Sequence, residues 1–348
     1  MPPSELARFP ERIDVRTPAE FAEDHVPGAI NCPVLTNEQR VEVGTLHAQS
    51  PFEAKKLGAA LISRNIATIV ERFADRPREW TPLIYCWRGG QRSRSLAHVM
   101  NEIGWRAVQL EGGYRAYRRH VVDELARVPQ RLRYRVVCGL TGSGKSRLIE
   151  ALAAEGAQAI DLEGLARHRG SLLGDLPDDP QPSQKRFESL VLDALQRFDP
   201  ARTVFVESES KRIGRLQVPD ALLARMRASE CARVDLDRGA RVALLKEEYR
   251  HFLADPALLG QRLAPLLPLL GRELLDRWGA LAAAGDFDTL VGELLDRHYD
   301  PMYTRSIRGN FPAIDRAITV APRGIDADAY RAAARKLIAD VATSEALP

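Results

Sequence analysis

Short apolar runs alternate with longer amphipathic segments over about the first two thirds of the chain. Each apolar run of three or four residues predicts a buried strand, and the amphipathic stretches between them predict helices. The predicted strands are residues 13–15, 82–85, 107–110, 136–138, 159–162, 203–206 and 233–236. The predicted helices include residues 93–103, a helix from residue 145, and residues 183–198 and 219–227. This alternation implies parallel sheets covered by helices on both faces, and residues 238–297 add an almost wholly helical part.

Two helix starts carry capping signals. Thr17-Pro18-Ala19-Glu20 combines an N-cap threonine, a proline at the first helical position and a glutamate three residues after the cap. Residues 50–53 (SPFE) repeat the pattern and predict the start of a longer helix.

A basic, proline-containing stretch at residues 127–135 (RVPQRLRYR) interrupts the alternation and is typical of a linker. It predicts a first α/β domain at residues 1–126, a linker at 127–134, and a second α/β domain with a helical C-terminal portion at 135–348. A length of 348 residues is enough for two such domains.

Composition narrows the classes of function. With 45% hydrophobic and 28% charged residues the chain is an ordinary globular protein, and a net charge of +3 neither demands nor excludes a nucleic-acid partner. Four cysteines without a CxxC pair argue against a zinc site or a disulfide framework. The first residues lack an apolar signal region, and the leucine-rich stretch 263–270 is too short to cross a bilayer. We therefore expect a cytoplasmic protein without membrane contact.

The clearest motif is a phosphate-binding loop (P-loop) at residues 139–146, GLTGSGKS, which follows a predicted strand and precedes a predicted helix. Its glycines let backbone N–H groups surround a phosphate, and the helix N-terminus adds a favourable dipole. Lys145 would neutralise the outer phosphates, and Ser146 would typically bind Mg²⁺. The expected phosphate-binding residues are Gly139, Gly142, Ser143, Gly144, Lys145 and Ser146. The loop indicates a diphosphate or triphosphate without specifying a nucleotide.

Acidic and basic side chains follow the next strands of this domain. Glu207 ends a predicted strand and is either a metal-adjacent carboxylate or a solvated acid. Asp161, His168 and Arg169 follow another strand and either bind an acceptor or form a structural polar cluster. No metal site is assigned with certainty.

A second candidate site surrounds Cys86, in Cys86-Trp87-Arg88-Gly89-Gly90-Gln91-Arg92-Ser93, between a strand and a helix. Loop N–H groups and the helix dipole stabilise a thiolate and lower the pKa of the thiol. Arg88 and Arg92 add positive charge for an anionic donor. These features predict a nucleophile that accepts sulfur or selenium and holds it as a persulfide-like anion.

One alternative fits the same residues. Cys86 and Arg92 also satisfy C-x5-R-S, the loop in which cysteine-dependent phosphatases hold a phosphate. The spacing alone leaves both chemistries open.

The surrounding segments resemble a known domain. Residues 14–21 (DVRTPAEF) and 25–31 (HVPGAIN) are similar to the opening of rhodanese domains, and residues 110–117 (LEGGYRAY) to their closing segment. The N-terminal domain is therefore expected to be rhodanese-like and the second P-loop NTPase-like. Glu23-Asp24 stands where many rhodaneses have glycine before the histidine.

The order of the two motifs favours sulfur or selenium chemistry over the phosphatase. A rhodanese module with CWRGGxRS followed directly by GLTGSGKS is similar to the tRNA 2-selenouridine synthase family. Weaker matching segments lie at residues 161–171, 181–184, 207–209 and 213–214, whereas the chain after Asp315 carries no matching pattern.

This resemblance implies a transferase that converts 2-thiouridine at the wobble position of tRNA into 2-selenouridine. It implies selenophosphate and geranyl diphosphate as co-substrates, an S-geranyl intermediate, and no tightly bound cofactor, with Mg²⁺ an option. Cys86 with Arg88 and Arg92 would then act on selenium, and the P-loop would hold a diphosphate. Contacts to tRNA are expected from arginines near both loops, namely Arg115, Arg118, Arg119, Arg131, Arg133 and Arg135.

Overall fold

Two parallel sheets organise the chain, and each belongs to its own unit. The computed structural model describes residues 1–346. Unit 1 comprises Met1–Leu125 together with Pro182–Asp193, and unit 2 comprises Ala126–Gln181 and the chain from Ala194 onward. The predicted α/β class is confirmed. Leu347 and Pro348, the end of the predicted second domain, lie outside the described residues.

Unit 1 is built on a four-stranded parallel sheet. Its strands, in the spatial order β2-β1-β3-β4, are β1 Arg12–Asp14, β2 Ala29–Asn31, β3 Leu83–Tyr85 and β4 Val108–Gln109. Its helices include α1 Pro18–Glu23, α2 Asn37–Gln49, α3 Pro51–Arg72 and α4 Gln91–Ile103. Apolar side chains from β1, β3, α3 and α4 form its core. Because the strands are parallel, the loop after β3 lies at the carboxyl edge of the sheet, where α/β folds place their sites.

The two predicted capping boxes have different outcomes. The Thr17 hydroxyl accepts a hydrogen bond from the Glu20 N–H, and the Glu20 carboxylate accepts one from the Thr17 N–H, so the first box is confirmed. Ser50 makes no side-chain cap, so the second box is wrong although its helix forms. Ser50 also closes α2, because its N–H donates to the Leu46 carbonyl, and one residue serves both helix ends.

The predicted linker at 127–134 is occupied by regular structure. Helix α5, Gly113–Arg131, continues through Pro129, and strand β5, Arg133–Cys138, begins two residues later. The buried side chains Tyr117, Val121 and Leu125 repeat every fourth residue, and Pro129 continues this buried face. Burial of that face outweighs the one helical hydrogen bond that proline removes.

Unit 2 contains a five-stranded parallel sheet in the order β11-β10-β5-β7-β6. After β5 its strands are β6 Gln158–Ile160, β7 Thr203–Glu207, β10 Glu230–Val234 and β11 Ile318–Val320. A separate antiparallel pair is formed by β8 Arg212–Ile213 and β9 Leu216–Gln217. Before β10 the helices of this unit are α6 Lys145–Ala154, α7 Leu162–Ala166 and α9 Asp220–Arg227. Helix α8, Gln184–Gln196, lies mostly in the segment that belongs to unit 1.

The predicted helical region after residue 238 is confirmed. It comprises α10 Arg238–Glu248, α11 Arg250–Ala254, α12 Pro256–Leu263, α13 Leu267–Leu270, α14 Arg272–Ala283, α15 Phe287–Leu294 and α16 Asp300–Asn310. These helices bury their own apolar cluster, which includes Phe252, Trp278, Leu290 and Leu294. A single π-helical turn, Leu295–Tyr299, joins α15 to α16. Such turns are often found at functional sites.

The C-terminal segment has a structure that the sequence did not predict. Strand β11 extends the sheet beside β10, and helix α17, Ala327–Ala346, packs its buried face against α6. This face includes Tyr330, Ala334, Leu337 and Val341. Helix α17 therefore supports the helix that carries the P-loop lysine. No helix among residues 1–346 is long and apolar enough to cross a membrane.

Candidate functional site

Cys86 follows β3 directly, and the loop after it leads into α4. Cys86 is only 3% exposed, and its sulfur accepts a hydrogen bond from the Ser93 hydroxyl at 3.2 Å. Trp87 and Arg88, the next residues of the loop, are exposed. The four cysteines of the chain are all free and buried, but the other three lie outside this loop.

Burial alone would raise the pKa of the Cys86 thiol. Hydrogen bonds from the Ser93 hydroxyl and from the N–H groups of Ser93 and Arg88 lower the pKa, and so does the positive charge of Arg92. The net result is a pKa below the ordinary value for cysteine. The loop therefore favours the thiolate, as a nucleophile requires.

The two predicted arginines differ in their surroundings. Arg88 is exposed, whereas the Arg92 guanidinium lies 2.8 Å from the Glu20 carboxylate. Burial would raise the pKa of Glu20, but the contact with Arg92 outweighs it and the net pKa is lowered. Glu20 is thus an ionised partner that holds Arg92 in place.

The closing segment of unit 1 packs directly on the cysteine loop. Gly113 has φ +58°, and a Cβ at this position would lie 2.3 Å from the Cys86 carbonyl oxygen. The Tyr114 N–H donates to that same carbonyl at 2.8 Å. Gly113, the second glycine in LEGGYRAY, therefore permits a backbone approach that a side chain would block.

A buried polar network lies behind this loop. Arg16 forms a bidentate ion pair with Asp14 and places its guanidinium 3.9 Å from the centre of the Tyr114 ring. The Tyr114 hydroxyl donates to Asp24 at 2.8 Å, and the Ser189 hydroxyl donates to the same carboxylate oxygen at 3.0 Å. Asp24 occupies the position where the sequence departs from the common rhodanese pattern. This departure is the only feature of the sequence that points to Asp24 as the acceptor in this network.

In unit 2 the P-loop connects β5 to α6. Gly142 and Gly144 have positive φ angles of +76° and +75°, and Gly144 forms the N-cap of α6. A Cβ on Gly144 would lie 2.0 Å from the Tyr330 hydroxyl, so only glycine fits there. The Lys145 ammonium lies 3.3 Å from the Gly139 carbonyl oxygen, across the loop. The Ser143 hydroxyl is buried inside the loop.

Three side chains that the sequence analysis missed hold the P-loop from outside. The Tyr303 hydroxyl accepts from the Gly139 N–H at 2.7 Å, and the Tyr330 hydroxyl donates to the Ser143 carbonyl at 2.9 Å. Arg241 donates to the Thr141 carbonyl at 2.9 Å. All three lie more than 90 residues beyond the motif, so local patterns give no signal of them.

Buried acids surround the start of α6. The Ser146 hydroxyl donates to Glu163 at 2.7 Å, and the Glu163 N–H donates to Glu207 at 2.8 Å. Burial raises the pKa of Glu163, Glu207 and Glu209, and repulsion from neighbouring carboxylates adds to the effect. Glu207 is completely buried, whereas Glu163 and Glu209 line the cavity at the P-loop. Within residues 1–346, no group of three or more acidic, histidine or cysteine side chains is arranged to hold a metal ion.

The P-loop opens onto a cavity of about 800 Å³. The predicted residues Asp161, His168 and Arg169 line it together with Gly142, Gly144, Lys145 and Ser146. Asp161 also caps α7, and His168 accepts a hydrogen bond from the Gly170 N–H at 3.1 Å, so both have structural roles as well. The π-helical turn adds His298, whose buried Nδ1 has no hydrogen-bond partner.

The arginines proposed for RNA contact fall into two groups. Arg118 pairs with Glu188, Arg133 bonds the Ala201 carbonyl, and Arg135 is buried. Arg115, Arg119, Arg131 and Arg133 are exposed, although Arg133 already bonds a carbonyl. The other three exposed arginines are the better candidates for phosphate contact.

Comparison with known proteins matches both units. Residues 6–120 match the rhodanese-like domain family, and residues 132–263 match the tRNA 2-selenouridine synthase AAA domain family.

Relatives named tRNA 2-selenouridine synthase match most of the chain. The protein of Nitrosomonas europaea is 34% identical over 78% of this chain and 74% of its own length. That of Aeromonas salmonicida is 33% identical over 84% of this chain and 85% of its own length. That of Verminephrobacter eiseniae is 35% identical over 84% of this chain and 87% of its own length.

Proposed function

Because the chain belongs to the tRNA 2-selenouridine synthase family, we propose that it converts wobble 2-thiouridine of tRNA into 2-selenouridine. In this proposal selenophosphate supplies the selenium, and geranyl diphosphate first alkylates the sulfur. The observation that carries the proposal is that one chain has two separate strand-to-helix loops suited to anions. One loop surrounds Cys86, whose pKa is lowered, and the other is the P-loop at residues 139–146.

The chemistry requires two steps because thiocarbonyl sulfur is a poor leaving group. In the first step the sulfur attacks the allylic carbon of geranyl diphosphate, the carbon–oxygen bond breaks, and diphosphate leaves. The uracil ring loses its N3 proton to give neutral S-geranyl-2-thiouridine. In the second step a selenide equivalent adds to C2 and the geranyl thiolate leaves with the sulfur.

We assign the first step to unit 2. Its P-loop N–H groups, the dipole of α6 and Lys145 together favour a diphosphate leaving group. Mg²⁺ that enters with the diphosphate would be held by Ser146 and Glu163, whose oxygens lie 2.7 Å apart at the start of α6. The proposal needs no tightly bound cofactor.

We assign selenium delivery to unit 1. Selenophosphate is an anion, and Arg88, Arg92 and the loop N–H groups provide positive potential beside Cys86. The buried network of Arg16, Asp24 and Tyr114 fixes the segment that packs on this loop. The favoured thiolate attacks the phosphorus of selenophosphate, the phosphorus–selenium bond breaks, and selenide leaves to add to C2. Water then hydrolyses the phosphocysteine to phosphate and the free thiol.

Nucleoside mass spectrometry tests this function directly. The full chain is incubated with 2-thiouridine tRNA and geranyl diphosphate, with or without selenophosphate. Geranyl diphosphate alone should yield S-geranyl-2-thiouridine, and both reagents should yield 2-selenouridine. Efficient selenation without any geranyl diphosphate would contradict the proposed route.

A second candidate is a phosphatase, which the C-x5-R-S spacing of Cys86, Arg92 and Ser93 favours. Hydrolysis of p-nitrophenyl phosphate that depends on Cys86 would support it. Absence of that hydrolysis in a preparation that modifies tRNA would exclude it.

A further inference from the structure

A second, apolar cavity lies among the helices of unit 2. It encloses about 50 Å³, and its wall consists mainly of leucine, valine, phenylalanine and tyrosine side chains. The most deeply buried of these is Leu295 of the π-helical turn. The next belong to α11, α12 and α15, and they are Phe252, Leu259, Leu290 and Leu294.

This apolar cavity adjoins the P-loop cavity. Five residues line both cavities, and they are Thr141, Ser171, Leu245, Tyr249 and Tyr299. Thr141 belongs to the P-loop itself, and Leu245 is the side chain that a Cβ on Gly142 would meet at 2.7 Å. A molecule anchored by its phosphates at the P-loop can therefore extend directly into the apolar cavity.

Three polar side chains of this wall are already paired. The Ser171 and Tyr249 hydroxyls lie 3.2 Å apart and bond each other, and Lys246 binds Asp288 at 2.9 Å. A purine base placed here would lose hydrogen bonds to water and gain few in return. A hydrocarbon chain loses none, and each methylene that it buries strengthens binding about fourfold.

We propose that the apolar cavity receives the far end of the geranyl chain and that its buried wall sets the length of the prenyl chain the enzyme accepts. This inference rests on the proposed function. The apolar cavity, at about 50 Å³, is smaller than the volume of a ten-carbon geranyl group. The half of the geranyl group next to the diphosphate therefore lies along Leu245, Tyr249 and Tyr299 in the larger cavity. Its far end enters between leucine side chains, which adapt by changing rotamer.

Helix α15 offers two variants with opposite effects. Leu290 is 1% exposed, and its replacement by alanine lengthens the cavity. Val291 is half-buried in the same wall, and its replacement by phenylalanine shortens the cavity. Leu269, exposed in the same helical part and outside both cavities, provides a matched leucine-to-alanine control.

The experiment offers the full-length enzyme and 2-thiouridine tRNA an equimolar mixture of dimethylallyl, geranyl and farnesyl diphosphates. Leu290→Ala should raise the ratio of farnesylated to geranylated nucleoside at least about tenfold. Val291→Phe should lower the ratio of geranylated to dimethylallylated nucleoside by a similar factor, and Leu269→Ala should change neither. Each ratio is measured within one preparation, so a lower folded fraction leaves it unchanged.

The outcomes separate this inference from the proposed function. If the wild-type enzyme makes the geranylated nucleoside but both ratios stay at wild-type values in the variants, the cavity assignment is overturned and the function stands. If the wild-type enzyme makes no prenylated nucleoside, the proposed function fails, and the inference fails with it.

Binding provides a second measurement that does not depend on turnover. By calorimetry, geranyl thiolodiphosphate should bind the wild-type enzyme at least about a hundredfold more tightly than inorganic diphosphate. Val291→Phe should weaken the binding of the thiolodiphosphate and leave that of diphosphate within about twofold. The assignment would be overturned if Val291→Phe weakened the binding of both ligands equally. It would also be overturned if ATP competed with the thiolodiphosphate and Val291→Phe weakened the binding of ATP as well.

Discussion

The Ser93 hydroxyl lies 3.2 Å from the sulfur of Cys86 and donates a hydrogen bond to it. Ser93 is buried in the first turn of α4, and its N–H also points to the same sulfur. The start of the helix thus provides two donors for a thiol that burial alone would keep protonated. The reactivity of Cys86 depends on this contact.

We expect Ser93→Ala to raise the pKa of Cys86, because the lost hydrogen bond to the charged thiolate contributes about 1.5–3 kcal/mol. The rate of Cys86 alkylation by iodoacetamide should rise with pH in both enzymes, with a higher midpoint in the variant. Ser95→Ala is the control, since its hydroxyl bonds the Gln91 carbonyl of the same helix. An unchanged midpoint in Ser93→Ala would contradict this account of the thiolate.

Gly113→Ala should distort the cysteine loop. Its Cβ would lie 2.3 Å from the Cys86 carbonyl oxygen, and displacement of a catalytic group by about 1 Å reduces rates on the order of a hundredfold. We expect selenation to slow at least about tenfold while geranylation is retained, measured as nucleosides by mass spectrometry. Gly104→Ala carries similar strain at φ +107° but meets no atom closer than 3.8 Å. Equal losses in both variants would refute a specific role for Gly113.

Tyr330→Phe should make the P-loop less rigid, although Tyr330 does not line the P-loop cavity. Loss of its hydrogen bond to the Ser143 carbonyl should lower the free energy of unfolding by about 1 kcal/mol. Diphosphate affinity, measured by calorimetry, should fall about threefold or more. The control is Tyr134→Phe in β5, because the buried Tyr134 hydroxyl has no hydrogen-bond partner. Unchanged diphosphate affinity in Tyr330→Phe would show that α17 does not support the loop.

Glu207→Gln should change how stability depends on pH. Burial raises the pKa of Glu207 well above 4.5, so its stabilising contribution is complete below pH 4.5 and is lost as pH rises toward the folded-state pKa. The glutamine keeps the acceptor for the Glu163 N–H. In urea denaturation the variant should match the wild type near pH 4.5 and exceed it by at least about 1 kcal/mol at pH 8. Parallel pH profiles would show that Glu207 is ionised in the folded protein.

Local patterns sufficed for many of the strands and helices and for the positions of the two loops, but not for β11 and α17. Thr17 with Glu20, the glycines of the P-loop and the cysteine after β3 each act through neighbours in sequence, so their roles can be predicted from short segments. The bounds of short strands were less certain. Strand β10 begins at Glu230, three residues earlier than predicted, because it pairs with β5 from that residue.

Long-range partners could not be predicted. Tyr303, Tyr330 and Arg241 reach the P-loop through tertiary packing, and no spacing rule connects them to it. Glu207 was expected either beside a metal or as a solvated acid, but it is completely buried, whereas Glu209 lines the cavity. Glu207 and Glu209 lie two residues apart at the end of β7. The twist and packing of the sheet decide which of them faces the cavity, and the sequence does not specify either.

The division of labour between the two loops is tested most directly with two variants and one readout. Nucleoside mass spectrometry is applied to 2-thiouridine tRNA incubated with geranyl diphosphate, selenophosphate and either Cys86→Ser or Lys145→Ala. The account predicts that Cys86→Ser accumulates S-geranyl-2-thiouridine without 2-selenouridine, and that Lys145→Ala leaves 2-thiouridine largely unmodified. Full selenation by Cys86→Ser, or geranylation by Lys145→Ala at the wild-type rate, would contradict it.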